Sequence, residues 1–545
     1  MQHLTPQPET SETRGDFALV LHTHMPFLKL AGNWPVGEEW LFQAWGEAYL
    51  PVIDVLRERA DARRRGMLTI GLTPLVLEQM RDPGLLERFH IWIGQGLLRC
   101  EMLAANAQLY ENTAERREAA VFWWRHYKAM LDSFEAKGCE LVPAFRDLLA
   151  KGAVEVLGGP LTHAYLPLHD TDTVRAQLRL GLDRGEELLG ERPRGIWLPE
   201  CAYRPGLEDI LSECGVEYTI LDGPSLLRAT EDFSALRRGW RLGDSDTAAF
   251  GRDLEVTYRV WSPTGGYPGN GAYREYHRWE FETGLKLWRV TDKSVPQDDK
   301  ELYDPALVGD VVAAQVDDFA RLVRESFARD GDIVVACYDT ELFGHWWLEG
   351  PQWLGLLLDR LGADPDVALT TIAGAVAGGD VSAEVTPPAS SWGLRKDFSI
   401  WENEDTAQIW SRLDELNRRL HKTLDAHDQA KRTIRAAPGT GSAAPSIRDR
   451  LLVQGLRELA LAQGSDWPFM IGHDKSVEYA QERFDVHADA TAFCFDMHEA
   501  VGARGPDALT AEDASHLDWL ERTHDIAPGL DVAAVQRSYG REVSE

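Results

Sequence analysis

Two carboxylates, Glu200 and Asp339, each follow an apolar run where a strand should end. The first stands in Pro199-Glu200-Cys201-Ala202-Tyr203 after residues 195–198, and the second follows residues 333–336. In an α/β barrel or open α/β sheet, the ends of parallel strands meet on one rim, so residues distant in sequence can face each other there. Two carboxyl groups across an aromatic-rich cleft are the minimum for splitting a glycosidic bond: one attacks or steadies the sugar cation, the other protonates the leaving oxygen. A single acidic residue after a strand more often caps a helix or pairs with a cation, so the weight lies on the combination. Glu341 competes with Asp339 for the second role. The two are expected to point to opposite sides of an extended segment, and Asp339 is the nearer to the strand end.

His22 and His24 leave another strand end together, and on an extended segment they are expected to face opposite ways unless a turn intervenes. A His-x-His pair near acids serves metal-dependent hydrolases, whereas in a carbohydrate enzyme the imidazoles would hydrogen-bond a sugar hydroxyl. Metal spacings such as His-Glu-x-x-His are absent. His163 and His345 are expected on the same rim. Tryptophan is abundant, at 19 residues, and Trp34, Trp40, Trp45, Trp261, Trp346, Trp347, Trp392 and Trp401 lie near loop or turn signals. Indoles in loops suit the flat faces of sugars, while Trp346 and Trp347 could equally plug the core.

The 545 residues suggest two to four structural units, although a barrel with insertions absorbs well over half of such a length. With 57 basic against 88 acidic residues the net charge is −31, which disfavours nucleic acid and anionic membranes as partners. The 6 cysteines form no Cys-x-x-Cys pair, which fits free thiols in a reducing compartment. Residues 1–15 are polar, and no stretch approaches the length of a membrane span, so a cytoplasmic protein is expected.

Strands are expected at 17–21, 67–72, 154–157, 195–198, 218–221, 333–336 and 367–372, with helices over 43–64, 172–190, 207–214 and 311–329 and a mostly helical region over 83–151. Such alternation predicts a parallel α/β architecture. The polar, Gly-rich stretch 224–302 reads as an insertion on the rim, with short strands at 256–261 and 287–290. Beyond 380 the strands are expected to stop, and helices over 405–426, 447–463, 475–497 and 511–523 suggest a bundle. Residues 436–446 read as a mobile low-complexity linker. The resulting division is a barrel over 1–223 and 306–380, a rim subdomain over 224–305 and a helical domain over 381–545.

Several stretches resemble, in order, the motifs of glycoside hydrolase family 57: Leu21-His22-Thr23-His24-Met25-Pro26-Phe27, Thr162-His163-Ala164-Tyr165-Leu166-Pro167-Leu168, Trp197-Leu198-Pro199-Glu200-Cys201-Ala202-Tyr203, Tyr338-Asp339-Thr340-Glu341-Leu342-Phe343-Gly344-His345-Trp346 and Ser465-Asp466-Trp467-Pro468-Phe469. Val260-Trp261-Ser262, Gly266-Tyr267-Pro268-Gly269, Ser391-Trp392-Gly393 and Trp401-Glu402-Asn403 are similar to its 1,4-α-glucan branching enzymes. The resemblance implies an incomplete (β/α)7 barrel with a rim insertion and a C-terminal α-helical domain. It implies a retaining mechanism on an α-1,4-glucan such as amylose or glycogen, with Glu200 as nucleophile, Asp339 as general acid/base, and neither metal nor cofactor. By the same resemblance His22, His24 and His163 contact the sugar at the scission point. Trp261, Trp392 and Trp401 line subsites, joined by Trp346, and Asp466 and Trp467 bring the C-terminal domain into the cleft.

One departure stands out. Branching enzymes of the family usually carry a tyrosine in a mobile loop after the fifth strand, yet residues 219–257 contain none, only Phe233, Trp240 and Phe250. Either water exclusion is weaker here or Trp240 takes the lid's place. The rival readings are an α-amylase or 4-α-glucanotransferase on the same scaffold, a metal-dependent hydrolase or deacetylase using His22 and His24, and a silent glucan-binding protein.

Overall fold

The structure is a computed structural model describing residues 14–34, 36–110, 113–262, 264–379, 381–435 and 445–541. Residues 436–444 of the expected linker lie outside the described residues. In chain order the strands are β1 (Gly15–Thr23), β2 (Leu68–Leu72), β3 (Val154–Leu157), β4 (Gly195–Ile196), β5 (Tyr218–Asp222), β6 (Gly239–Leu242), β7 (Ala248–Arg252), β8 (Ile333–Asp339), β9 (Val367–Thr370) and β10 (Glu384–Val385).

Strand β1 shows why these residues make a barrel. Side chains alternate across a strand, and here both faces are apolar: Phe17, Leu19 and Leu21 pack on the outer helices, while Ala18 and Val20 join Trp197, Val335 and Cys337 inside. A strand buried on both faces belongs at the centre of a parallel sheet. Accordingly β1 pairs in parallel with β2 on one side and β8 on the other, and β2–β3, β4–β5 and β5–β7 continue the series. Two narrow seams close the ring. A parallel bridge joins Gly158 to Ile196, and the Asp253 amide donates to the Val335 carbonyl at 2.8 Å. The result is an incomplete barrel of seven parallel strands, β1, β2, β3, β4, β5, β7 and β8.

The sequence reading fails in four places. The stretch 224–305 is not all insertion, because β6 and β7 lie within it and β7 is a stave of the barrel. Residues 256–261 are not a strand but belong to the helix Leu254–Trp261, capped by Asp253, whose carboxylate accepts from the Glu255 and Val256 amides. Strands do not stop at 380, since β10 pairs with β6. Finally β9 is no stave: it pairs only with the first residues of β1, 15–18.

The C-terminal helices Ala407–Arg435, Ile447–Ala462 and Val477–Arg504 share an apolar core with Phe27, Leu75 and Leu161 of the barrel rim. Polar contacts fix the docking. Gln177 donates to Gln463 at 2.7 Å, the Ser465 amide to the His163 carbonyl at 3.1 Å, and the Ala527 amide to Glu78 at 2.8 Å.

Gly181, in the helix Thr171–Leu189, lets this face approach the loop after β3: a Cβ there would stand 2.2 Å from the Gly159 carbonyl and 2.7 Å from the Leu161 amide. Gly181→Ala should therefore destabilise the fold by about 1–3 kcal/mol, the usual cost of overpacking. It should also displace the loop bearing His163. Urea denaturation compared with the wild type measures the first effect, and an unchanged midpoint would contradict the packing argument.

Candidate active site

Both carboxylates stand on the rim because their strands end there. β8 runs in register with β1, so Asp339 lies opposite His22, and the Thr23 and Thr340 hydroxyls bond at 2.7 Å beside them. Glu200 sits in the 3₁₀ turn Pro199–Cys201, where it and Cys201 adopt left-handed backbone at φ 61° and 48°. His163 does the same at φ 57°. Such conformations are costly for residues with a Cβ and persist where surrounding structure dictates them. Here residues 390–392 dictate it: Tyr203 and Ser390 exchange backbone hydrogen bonds, and the Trp392 amide donates to the Glu200 carbonyl at 2.9 Å.

Glu200, Asp339, Glu341, His22, His24, His163, Trp261, Trp346, Trp392, Trp401 and Asp466 all line one cavity of ≈ 890 Å³. The expectation that His22 and His24, or Asp339 and Glu341, diverge fails on strand geometry itself, since residues two apart share a face. Among the two acids, Glu341 is engaged by the Tyr49 hydroxyl, whereas no described side chain hydrogen-bonds the Asp339 carboxyl.

A directed chain of hydrogen bonds ends on Glu200. Its Oε2 accepts from the Trp392 indole N–H at 2.7 Å and its Oε1 from Ser465 Oγ at 3.2 Å. With the Ser465 proton spent on Glu200, His163 Nδ1–H donates to Ser465 Oγ at 2.8 Å, and His22 Nε2–H donates to His163 Nε2 at 3.1 Å. Burial, reinforced by neighbouring imidazoles, holds His22 and His163 well below the usual histidine range, so each is neutral and supplies one donor. His24 stacks on His163 with centroids 3.8 Å apart and bridges Thr73 and Asp466, each at 3.1 Å.

Burial also governs the carboxyls. It pushes Glu200 up to about 8, aided by the charges of Asp466 and Asp339 and opposed by the Trp392 and Ser465 donors. It pushes Asp339 up to about 6 against the pull of Arg252 and His24.

His24, His163 and Asp466 are close enough to hold a cation, but both His163 nitrogens are committed, to His22 and Ser465. A metal would have to break one of those bonds.

Some expected residues lie elsewhere. Trp467 faces the helical core, its N–H on the Leu461 carbonyl. His345 is fully buried behind the wall, held by Glu47 at 2.9 Å and Tyr276 at 3.1 Å. The adjacent tryptophans divide: Trp347 is core beside Tyr273 and Trp353, while Trp346 meets Trp261 at 5.4 Å in the cavity wall. Trp45 is buried inside a helical stretch. Trp401 reaches the cavity but is fully buried, stacked on Tyr165 at 4.6 Å. Trp240 is no lid, for it lies in β6 with its N–H on the Ala235 carbonyl. Tyr258, one residue past the tyrosine-free stretch, lines the cavity from the same helix as Trp261. The sequence reading missed Tyr258, Tyr276, Lys286 and the donor role of Ser465. Only Ser465 carried a signal, beside Asp466 in a quoted motif.

Comparison with known proteins follows the same lines. Residues 18–373 match the model of glycosyl hydrolase family 57, and 425–534 the model described as 1,4-alpha-glucan branching enzyme, C-terminal. A probable 1,4-alpha-glucan branching enzyme of Mycobacterium tuberculosis (strain CDC 1551 / Oshkosh) is 41% identical over 498 residues, covering 88% of this chain and 92% of the relative. The crystal structure of a GH57-type branching enzyme from Pyrococcus horikoshii superposes with TM-score 0.83 at 29% identity, covering 96% of this chain and 97% of the other. The α-amylase AmyC from Thermotoga maritima superposes with TM-score 0.82 at 27% identity, covering 98% and 100%.

The sign of the Glu200 shift sets a stability test. A carboxyl raised from 4.5 to about 8 stays protonated in the fold over a range where the unfolded chain ionises it, so stability falls as pH rises through that window. Glu200→Gln should therefore stabilise the protein at pH 7, by up to about 3 kcal/mol, and give no gain near pH 4. Denaturation at both pH values checks this. Equal or lower stability of the variant at pH 7 would contradict it.

Proposed function

The chain belongs to glycoside hydrolase family 57, and on that premise we propose that the protein is a 1,4-α-glucan branching enzyme working by retaining double displacement. The observation that carries the reading is the Glu200 carboxylate, held by two neutral donors across an aromatic-walled cavity from Asp339. The 41% identical mycobacterial relative and the match to the branching-enzyme C-terminal model favour branching over simple hydrolysis. The barrel itself does not choose, since an α-amylase shares it.

In this mechanism Glu200 attacks the anomeric carbon, Asp339 protonates the departing oxygen, and a covalent glycosyl-enzyme forms. The attack needs Glu200 ionised and Asp339 protonated. The Trp392 and Ser465 donors favour the ionised form of Glu200, and burial favours the protonated form of Asp339. An incoming 6-hydroxyl then gives its proton to Asp339 as it takes the sugar, creating the α-1,6 branch. His22, His24 and Asp466 hold hydroxyls beside the scission point, His163 orients them through its bonds to His22 and Ser465, and Trp261, Trp346, Trp392 and Trp401 form the apolar walls against which the chain lies. Tyr258, which lines the same cavity, takes the role of excluding water from the glycosyl-enzyme. The physiological substrate is a glycogen-like polymer in the cytoplasm. No described helix is long and apolar enough to cross a membrane.

Proton NMR of amylose after incubation should show α-1,6 signals growing faster than new reducing ends. Accumulation of reducing ends alone would replace the reading with that of a hydrolase. Asp339→Asn should lower the rate by about 10²- to 10⁴-fold without unfolding, the range for losing an acid/base, and a near wild-type rate would refute its role.

A further inference from the structure

The segment after Gly271 brings a cation to the cavity that the mechanism above does not use. Lys286 lines the cavity, its stem partly accessible and its Nζ enclosed. That Nζ has no hydrogen-bond partner and rests 4.0 Å from the centroid of the Tyr276 ring. A cation on an aromatic face recovers part of the cost of leaving water, but three N–H groups without an acceptor remain expensive to bury.

No protein acceptor lies within hydrogen-bond reach of the Lys286 Nζ. Glu47, the carboxylate that acts most strongly on Lys286, is hydrogen-bonded to His345 Nδ1. Since His345 Nδ1–H donates to Glu47, its Nε2 accepts from the Tyr276 hydroxyl. That chain fixes the Tyr276 ring as a platform and gives Lys286 nothing to donate to. The charges acting on Lys286 are Glu47, Arg274 and Glu39. None of the three lines the cavity, so Lys286 reaches it from a charged layer behind the wall.

We propose that Lys286 is a stowed hydrogen-bond donor for the glucan chain: on the empty enzyme it rests on Tyr276, and rotation of its flexible stem carries the ammonium to hydroxyl oxygens of a glucose unit remote from the scission point. The inference rests on the branching-enzyme reading. A neutral polyhydroxylated ligand fits better than an anion, because Glu39 and Glu47 already act on this ammonium and four acids, Glu200, Asp339, Glu341 and Asp466, line the same cavity. The residue determines how tightly long chains are held and takes no part in the bond-making step.

The test is calorimetric titration of maltoheptaose into the Glu200→Gln enzyme with and without Lys286→Met, which keeps the stem and removes the donor. Losing a charged donor should weaken binding about tenfold or more with the melting temperature little changed. Unchanged binding by a folded Lys286→Met variant overturns the proposal and leaves the branching reading standing. No binding by Glu200→Gln alone overturns both. Should Lys286→Met fail to fold, acetic anhydride labelling of the wild type, read by peptide mass spectrometry, decides. Protection of Lys286 by maltoheptaose supports the proposal, and labelling indifferent to the sugar overturns it.

Discussion

A half-buried carboxyl that must ionise to act needs donors, and the turn at the end of β4 supplies none to the Glu200 side chain. They come from Trp392 and Ser465, 192 and 265 residues further along the chain. Much of the architecture follows from delivering those two groups. The segment 390–392 pairs with the backbone around Glu200 and holds it in a left-handed conformation. Ser465 stands at the start of the helix Asp466–Gly472, which is pressed on the rim by the same contacts that dock the helical domain. Barrel and helical domain therefore both contribute to the surroundings of this one carboxylate.

A second buried glutamate shows what is special about the first. Glu458 is wholly enclosed, yet where burial alone would raise it, His524 and His487 at 2.8 Å hold it down at about 2. Its partners are two imidazoles. Those of Glu200 are a neutral indole and a hydroxyl, with Asp339 and Asp466 nearby, and it rises to about 8. One arrangement locks helices together; the other keeps a carboxyl close to the point of exchanging its proton. That readiness costs stability, as buried functional groups commonly do.

The sequence made much of this legible. Apolar runs located the seven staves except β7, whose Ala248-Ala249-Phe250-Gly251-Arg252 is too short and too rich in small residues to read as a strand outside the barrel. The helix Leu254–Trp261 was misread because Val256, Tyr258 and Val260 also suit a strand, and the Asp253 cap that decides the matter lies before them. Both carboxylates were visible as acids at strand ends. Ser465, Tyr276 and Lys286 were not assigned roles, since a donor's value depends on which distant side chain it meets. Trp467 illustrates the converse: a motif places it beside Asp466, but helical geometry turns it into the core.

The claim on which the account depends is that Glu200 forms the covalent intermediate. Asp339→Asn treated with a maltosyl fluoride, whose leaving group needs no acid, should glycosylate and then stall, because the base for the second step is gone. Quenching and peptide mass spectrometry should find the maltosyl ester on the peptide containing Glu200. An adduct on Glu341 or Asp466 instead, or product released by inversion with no adduct at all, would contradict it.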